Sequence, residues 1–326
     1  MYIFYRIKNK KYFVRLILFV LLKLERNEQK NMKETNDNCP KKISNCAIDE
    51  KQLKEVVACI REYITGKGHT RIDIPILMER DVQDGVFIED NKIFKTSTKS
   101  IRYDLTLPLF IYYNNKKNKE KTLSYTVGPV FRDEKEDCTH FCEFNQFEID
   151  IFNPNSIYDD VCIGNYMKEI AKIFFDENMI SLRINYRPLT EWLMALSRIS
   201  NRQEFYNMLD LLDKEFSDEK CRDIFHENYD IAKRVLLSST VEELEAIDDV
   251  PRNIVEYFRN YKALDDKCII RPLLARGALY YDGVVYEMFH TKLGSAIMGG
   301  GHGTMFGVTR VGASFGLERL IICINS

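Results

Sequence analysis

The chain has 326 residues, of which 45% are hydrophobic and 29% are charged, and this mixture excludes an intrinsically disordered protein. The formal net charge of -2 provides no overall basic field, so a nucleic-acid partner would need a local basic surface. Nine cysteines without a CxxC pair indicate reduced thiols of an intracellular protein rather than zinc ligands.

Residues 1–46 are expected to be a poorly ordered N-terminal extension. Residues 12–24 are mostly apolar, but this run is too short to span a bilayer. No small-residue cleavage site of a signal peptide follows it. We therefore expect no membrane partner and a cytoplasmic location, with a mitochondrial location as the alternative.

The next segments alternate between helical and strand patterns. Residues 49–65 carry apolar side chains at helical spacing and predict an amphipathic helix that ends at Gly66 and Gly68. The segments that predict strands are residues 71–77, 102–106, 125–132 and 141–152.

The second half of the sequence begins with a segment of helical pattern. Residues 201–264 show helical spacing and predict a helical insertion. Strands are predicted again at 279–289 and 296–298, before a glycine run at 299–301 and a closing helix at 315–323. The pattern predicts an α+β fold with an antiparallel sheet flanked by helices, formed by residues 47–200 and 265–326.

One polar constellation lies on the strand at 141–152 and on the strand before it. Alternate side chains of a strand share a face, so Gln146, Glu148 and Asp150 are expected together, opposite Arg132 and Glu134. Such a set can bind a phosphate on the arginine and an ammonium or imidazole on the acids. The alternative is an ordinary sheet whose polar face is half-solvated.

Two further segments carry arginines beside glycines. Arg276 precedes Gly277, and the glycine run leads to Gly316, Glu318 and Arg319. Glycines near a helix start let a ligand approach the backbone, and Arg319 lies one turn into the helix. Each segment alone is also typical of a strand-end arginine or a glycine-rich turn, and neither has the P-loop pattern.

Taken in order, these segments resemble the signatures of the histidyl branch of class II aminoacyl-tRNA synthetases. Residues 131–134 (FRDE) and 143–147 (EFNQF) resemble motif 2, and residues 316–320 (GLERL) resemble motif 3. Residues 102–106 (RYDLT) resemble the histidine-binding segment, and residues 276–281 resemble the "RGLDYY" signature. The resemblance covers roughly Leu53 to Leu320 and implies the class II synthetase fold with its helical insertion.

The resemblance also implies residue roles. The residues that would be catalytic are Arg132, Arg276 and Arg319. The residues that would bind histidine are Asp104, Thr106, Gln146, Asp150 and Tyr281. The residues that would bind ATP, with Mg²⁺ as cofactor, are Arg132, Glu134, Phe144, Glu318 and Arg319. The arginines would grip the α- and γ-phosphates and stabilise the charge that develops on the α-phosphate.

The implied activity is histidine–tRNA ligation, in which histidine and ATP form histidyl-adenylate and the histidyl group is transferred to tRNA(His). The implied assembly is a homodimer paired through about residues 51–77. We expect no C-terminal anticodon-binding domain, because the sequence stops just past the motif 3 segment.

The sequence departs from the family pattern at several places. Both arginines of the "GRYREF" stretch are replaced in residues 139–144, Leu279 stands where "RGLDYY" has aspartate, and His302 replaces the arginine of "GGGRYDGL". These departures leave open a non-charging paralogue, such as a histidine-sensing regulatory subunit of ATP phosphoribosyltransferase. The three arginines, which are suited to a triphosphate, favour the ligase.

Overall fold

An eight-stranded sheet forms the centre of the fold. This computed structural model describes residues 48–87, 90–117, 119–135, 141–275, 277–291 and 293–325. The expected N-terminal extension at residues 1–46 lies outside the described residues. From Cys46 onward the chain forms one compact unit.

The elements follow one another in the order expected of a mixed domain. The strands are β1 (Thr70–Arg71), β2 (Leu77–Glu79), β3 (Lys99–Ile101), β4 (Thr122–Phe131), β5 (Glu143–Phe152), β6 (Ile180–Tyr186), β7 (Ile269–Ile270), β8 (Tyr281–His290), β9 (Ser295–Met305) and β10 (Val308–Gly316). The helices are α1 (Glu50–Gly66), α2 (Thr106–Lys116), α3 (Ile157–Phe174), α4 (Arg187–Leu196), α5 (Arg202–Lys214), α6 (Asp218–Phe225), α7 (Tyr229–Leu237), α8 (Val241–Glu245), α9 (Arg252–Leu264) and α10 (Leu317–Asn325).

The strand order in the sheet is β1-β4-β5-β10-β9-β8-β6-β7. The six central strands pair antiparallel, while β1 and β7 add parallel edges. Strands β2 and β3 form a separate antiparallel pair. The predicted α+β class with an antiparallel sheet is confirmed.

Strand β5 separates an apolar face of the sheet from a polar one. Phe147 stacks on Tyr125 with ring centroids 5.4 Å apart and meets Phe315 edge to face. On the opposite face, Glu148 and Asp150 are fully buried. The alternative of a half-solvated polar face is therefore wrong here, and these carboxylates must find partners inside the protein.

Helix α2 buries the polar face of the sheet at the end where β5 stops. The ring of Phe110 meets Phe152 edge to face at 6.2 Å, and Tyr113 stacks on Phe152 at 3.8 Å. Phe152 shares the face of Asp150 because it lies two residues further along β5. The helix thus covers this end of the sheet and leaves the Gln146 end open.

Two strand predictions need correction. Residues 102–106 are not a strand: β3 ends at Ile101 and α2 begins at Thr106, with the Asp104 carboxylate accepting a hydrogen bond from the N–H of Leu107 at 3.0 Å. The predicted strand at 71–77 is split between β1 and β2, with Pro75 between them. Proline cannot donate a ladder hydrogen bond, which accounts for the interruption.

The glycine run also differs from its prediction, since it lies inside a long strand rather than in a turn. Gly299 to Gly301 belong to β9, and a Cβ on Gly300 would lie 2.0 Å from the backbone oxygen of Gly312. Glycine is required there by the close approach of β10. Strand β10 was not predicted, and the closing helix begins at Leu317 rather than at residue 315.

Residues 202–264 hold helices α5 to α9 and are docked on the sheet-containing part. Arg271 pairs with Asp213 of α5 at 2.5 Å, and the hydroxyl of Tyr206 donates to Glu191 of α4 at 2.7 Å. Among the residues that the structure describes, no helix combines the length and apolar character needed to cross a membrane.

Candidate active site

A cavity of about 570 Å³ lies over the open end of the polar face. The residues singled out in the sequence that line it are Asp104, Thr106, Arg132, Glu134, Phe144, Gln146, Tyr281, Glu318 and Arg319. Asp150 is not among the lining residues, and Arg276 lies outside the described residues. The fold therefore brings nine of the proposed site residues into one concave site, in the size range of small-ligand pockets.

Arg132 forms a cationic part of the cavity wall where β4 ends. Its guanidinium lies over the rings of Tyr103 and Phe144, with its carbon 4.4 Å and 5.0 Å from their centroids. The Nε group donates to the backbone oxygen of Tyr103 at 3.4 Å. Two aromatic faces thus position a planar cation without neutralising it.

Glu134 shares the wall with Lys92, a residue that the sequence analysis did not single out. Their side chains form an ion pair of 3.2 Å, and both line the cavity. Lys92 lies in a 3₁₀ turn at Asp90–Lys92, and only the tertiary fold brings it to the end of β4.

Glu318 and Arg319 fasten the start of α10 to the sheet. The carboxylate of Glu318 accepts hydrogen bonds from the backbone N–H and the side-chain amide of Asn145, at 2.8 and 2.9 Å. Arg319 donates to the backbone oxygen of Ala296 at 3.1 Å. Burial raises the pKa of Glu318, and its hydrogen bonds to Asn145 oppose that rise.

A second group of polar atoms surrounds Asp104. This carboxylate is 8% exposed and accepts a hydrogen bond from the hydroxyl of Tyr280 at 3.1 Å. Burial raises the pKa of Asp104. Within the described residues, Oε1 of Gln146 and Oγ of Ser314 are buried without a hydrogen-bond partner, although both residues line the cavity. Such atoms are suited to bind a polar ligand.

Beneath this group lies a buried cluster centred on Arg310 of β10. The guanidinium is 2.5 Å from Oδ1 of Asp150 and 3.2 Å from Oε1 of Glu148, which also accepts a hydrogen bond from the hydroxyl of Thr106. Arg310 is only 1% exposed. Sequence reasoning missed it because β10 was not predicted; the alternation of Arg310 with Gly312 and Ser314 was the available signal.

Burial and pairing oppose one another in the pKa values of this cluster. Burial raises the pKa of Asp150 to about 6 despite Arg310, and it raises the pKa of Glu148 well above the usual range. Burial alone would lower the pKa of Arg310, but the carboxylates of Asp150 and Glu148 raise it. The arginine therefore stays charged and balances the ionised carboxylate.

Helix α5 of the helical segment supplies a further wall. Its residues Tyr206, Asn207, Asp210 and Lys214 line the cavity. The guanidinium of Arg187 lies 4.4 Å from the ring centroid of Tyr206 and packs against this wall of the cavity. In the sequence, these positions show only the spacing of a helix.

Known proteins resemble this chain in sequence and in fold. Residues 76–205 match the family described as tRNA synthetases class II core domain (F). The histidine--tRNA ligases of Treponema denticola and Sulfolobus acidocaldarius are 26% and 24% identical, each over 84% of this chain. These matches confirm the resemblance to the histidyl-tRNA synthetase family. The chain spans 69% and 71% of those two relatives, but only 40% of the histidine--tRNA ligase, cytoplasmic, of Oryza sativa subsp. japonica.

Solved structures share the fold of this chain. An ATP phosphoribosyltransferase regulatory subunit/histidyl-tRNA synthetase from Bacillus halodurans C superposes with a TM-score of 0.73 at 16% identity, covering 89% of this chain and 85% of its own. Histidyl-tRNA synthetase from Nostoc sp. PCC 7120 gives 0.64 at 22% identity, covering 90% and 75%. At these identities the likeness concerns the fold, and it confirms the class II synthetase-like architecture.

Proposed function

We propose that the chain is a histidine–tRNA ligase, which activates histidine with ATP and transfers the histidyl group to tRNA(His). The observation that supports this most is that one cavity joins the cations Arg132 and Arg319 to a buried carboxylate, Asp104. The arginines suit the phosphates of a nucleotide, and the carboxylate suits the ammonium of an amino acid.

In the proposed activation step, a carboxylate oxygen of histidine attacks the α-phosphorus of ATP. The bond from that phosphorus to the β-phosphate oxygen breaks, which gives histidyl-adenylate and pyrophosphate. Arg132 neutralises charge on the α-phosphate, and Arg319 binds the γ-phosphate. Asp104 holds the histidine ammonium so that the carboxylate faces the phosphorus, and most of the acceleration comes from positioning and electrostatics.

The remaining lining residues complete the ATP site. The ring of Phe144, already beside Arg132, offers an apolar face to the adenine. Mg²⁺ is usually held by one or two carboxylates together with substrate phosphates. The carboxylates of Glu318 and Glu134 line the cavity and fit that role. When bound, the ion would neutralise phosphate charge.

In the proposed transfer step, a hydroxyl of the 3′-terminal ribose of tRNA attacks the histidyl carbonyl, and AMP leaves. The protein acts in the cytoplasm as a homodimer. Exposed apolar side chains at Ile76 (41%) and Leu77 (58%) support pairing through residues 51–77. Light scattering that finds a monomer would contradict this assembly.

The test is histidine-dependent exchange between ATP and pyrophosphate. Arg132→Ala should lower the exchange rate by about 100-fold or more, because it removes a positioned cation from the reacting phosphate. The matched control is Arg198→Ala, which removes an arginine that is 68% exposed and paired with Glu227 on the surface. The control should exchange like the parent protein.

The second candidate is a histidine-sensing regulatory subunit of ATP phosphoribosyltransferase. One observation favours it: His302, which replaces an arginine of the family signature, is not among the residues lining the cavity and pairs with Asp160 of α3 at 2.7 Å. Histidine binding by a protein that shows no exchange would select this candidate. A protein that binds no histidine would contradict both.

A further inference from the structure

The position of Arg310 separates Asp150 from the cavity. Arg310 pairs with Phe152 in the β10–β5 register, yet its guanidinium reaches back over Gly312 to Asp150. A Cβ on Gly312 would lie 2.0 Å from Nη2 of Arg310 and 2.3 Å from Oδ1 of Asp150. The guanidinium and the carboxylate therefore fill the space that the glycine leaves open.

The cavity ends above this ion pair. Thr106 lies between the two regions: it lines the cavity, while its hydroxyl donates to Glu148 and is 3.5 Å from Nη1 of Arg310. A ligand that contacts Thr106 thus meets the cluster through a neutral hydroxyl. The family resemblance implied that Asp150 binds histidine, but here the carboxylate contacts Arg310 instead.

We propose that Arg310 is a specificity-determining residue, which neutralises the carboxylate of Asp150 beneath the cavity so that the cavity selects an amino acid with an uncharged side chain. Asp150 is then a positioning residue that acts through Arg310. This inference rests on the proposed function in one respect, namely that the ligand is an amino acid held by Asp104.

The charges around the site support this selectivity. The ionisable side chains of the cluster and of the elements that surround it are Asp104, Tyr113, Arg132, Glu148, Asp150, Tyr280, Tyr281, His302 and Arg310. Of the carboxylates in this group, Asp104 is the one that lines the cavity, where it can meet the ligand ammonium. Without the arginine, the carboxylate of Asp150 would be left to attract a cationic side chain, since interactions between charges are strong where water is excluded.

Three uncharged polar side chains line the cavity and are available to the side chain of the ligand. They are the hydroxyl of Thr106, the amide of Gln146 and the hydroxyl of Ser314. These groups can hydrogen-bond a neutral imidazole, but none of them compensates the desolvation of an imidazolium. For histidine, the form that binds is therefore the neutral ring.

The test compares histidine with triazolylalanine, whose ring stays neutral, by calorimetric titration of the full chain. Free imidazole has a pKa of about 6.5, so the neutral fraction of histidine falls roughly tenfold between pH 7.5 and pH 5.5. The ratio of the two dissociation constants should change by that factor, because titration of the protein cancels in the ratio. A ratio that stays constant in the parent protein overturns the proposal.

Arg310→Met should reduce or reverse the change of this ratio with pH, since the unmasked carboxylate of Asp150 favours the protonated ring of histidine. If Arg310 had a purely structural role, its replacement would alter the affinities for both ligands and leave the pH dependence of their ratio unchanged. The double variant Arg310→Met/Asp150→Asn removes one charge of each sign and guards against a failure of the single variant to fold. In the double variant, the ratio of the two dissociation constants should change with pH about as much as in the parent protein. A ratio that does not change with pH in the double variant overturns the proposal.

A panel with glutamine and lysine separates this inference from the proposed function. Binding of glutamine without histidine or lysine refutes the ligase proposal but supports a cavity selective for uncharged side chains. Lysine binding as tightly as histidine or glutamine overturns the role of Arg310 whatever the exchange assay shows. A protein that binds no amino acid overturns both.

Discussion

Removal of the buried guanidinium is the most direct perturbation of the site. In Arg310→Met, a side chain that is 1% exposed loses its charge, and the fully buried carboxylates of Glu148 and Asp150 lose their cation. Breaking a buried pair typically costs about 3–5 kcal/mol, because an uncompensated charge remains. The exposed pair of Arg198 with Glu227 provides the control, and Arg198→Met should cost less than about 1 kcal/mol.

Urea unfolding followed by the fluorescence of Trp192, the single tryptophan, measures both losses. The pKa of Asp150 is about 6 with Arg310 present and rises further without it. Below that pH the carboxylate is protonated in both proteins, so the loss in Arg310→Met should shrink as the pH falls from 8 to 5. A loss no larger than that of Arg198→Met, or one that grows on acidification, would refute the reasoning.

Two further changes test the packing around the sheet. Gly312→Ala should lower the free energy of unfolding in urea by roughly 2 kcal/mol, since the new Cβ would lie 2.5 Å from the backbone oxygen of Ile149. The control Gly66→Ala, which has open space around it, should not lower this free energy. Equal urea midpoints for the two variants would contradict the prediction. His302→Gln should cost roughly 2 kcal/mol at pH 6 and less at pH 9. Burial lowers the pKa of His302, but Asp160 raises it above the ordinary value of histidine. The charged pair is therefore lost as the pH rises through the raised pKa of the folded protein. Equal losses of stability at both pH values would argue against the pair.

Local signals in the sequence predicted the elements that local interactions define. The helix expected at residues 49–65 is α1, whose start is capped by the carboxylate of Asp49 on the N–H of Lys51 at 3.0 Å. The strand expected at residues 141–152 is β5, and its polar and apolar side chains alternate as expected. In both cases a few neighbouring residues determine the conformation, and spacing alone shows it.

Residues 102–106 show where spacing misleads. The alternation of polar and apolar residues favoured a strand, but Asp104 and Pro108 are signals of a helix start. The aspartate accepts from the N–H of Leu107, and the proline lies within the first turn of α2, where its missing N–H has no helical partner to lose. Competing local signals of this kind are resolved only by the packing of α2 on the sheet.

The cluster at Arg310 could not be read from spacing, because its members lie in three segments that only the sheet register brings together. A shift of β10 by one residue against β5 would move Arg310 to the face where Phe147 and Phe315 pack. There the guanidinium would be buried among aromatic rings, while Asp150 would lose its partner; both changes cost several kcal/mol. The ion pair that neutralises the floor of the cavity therefore also holds the register of the two strands that form it.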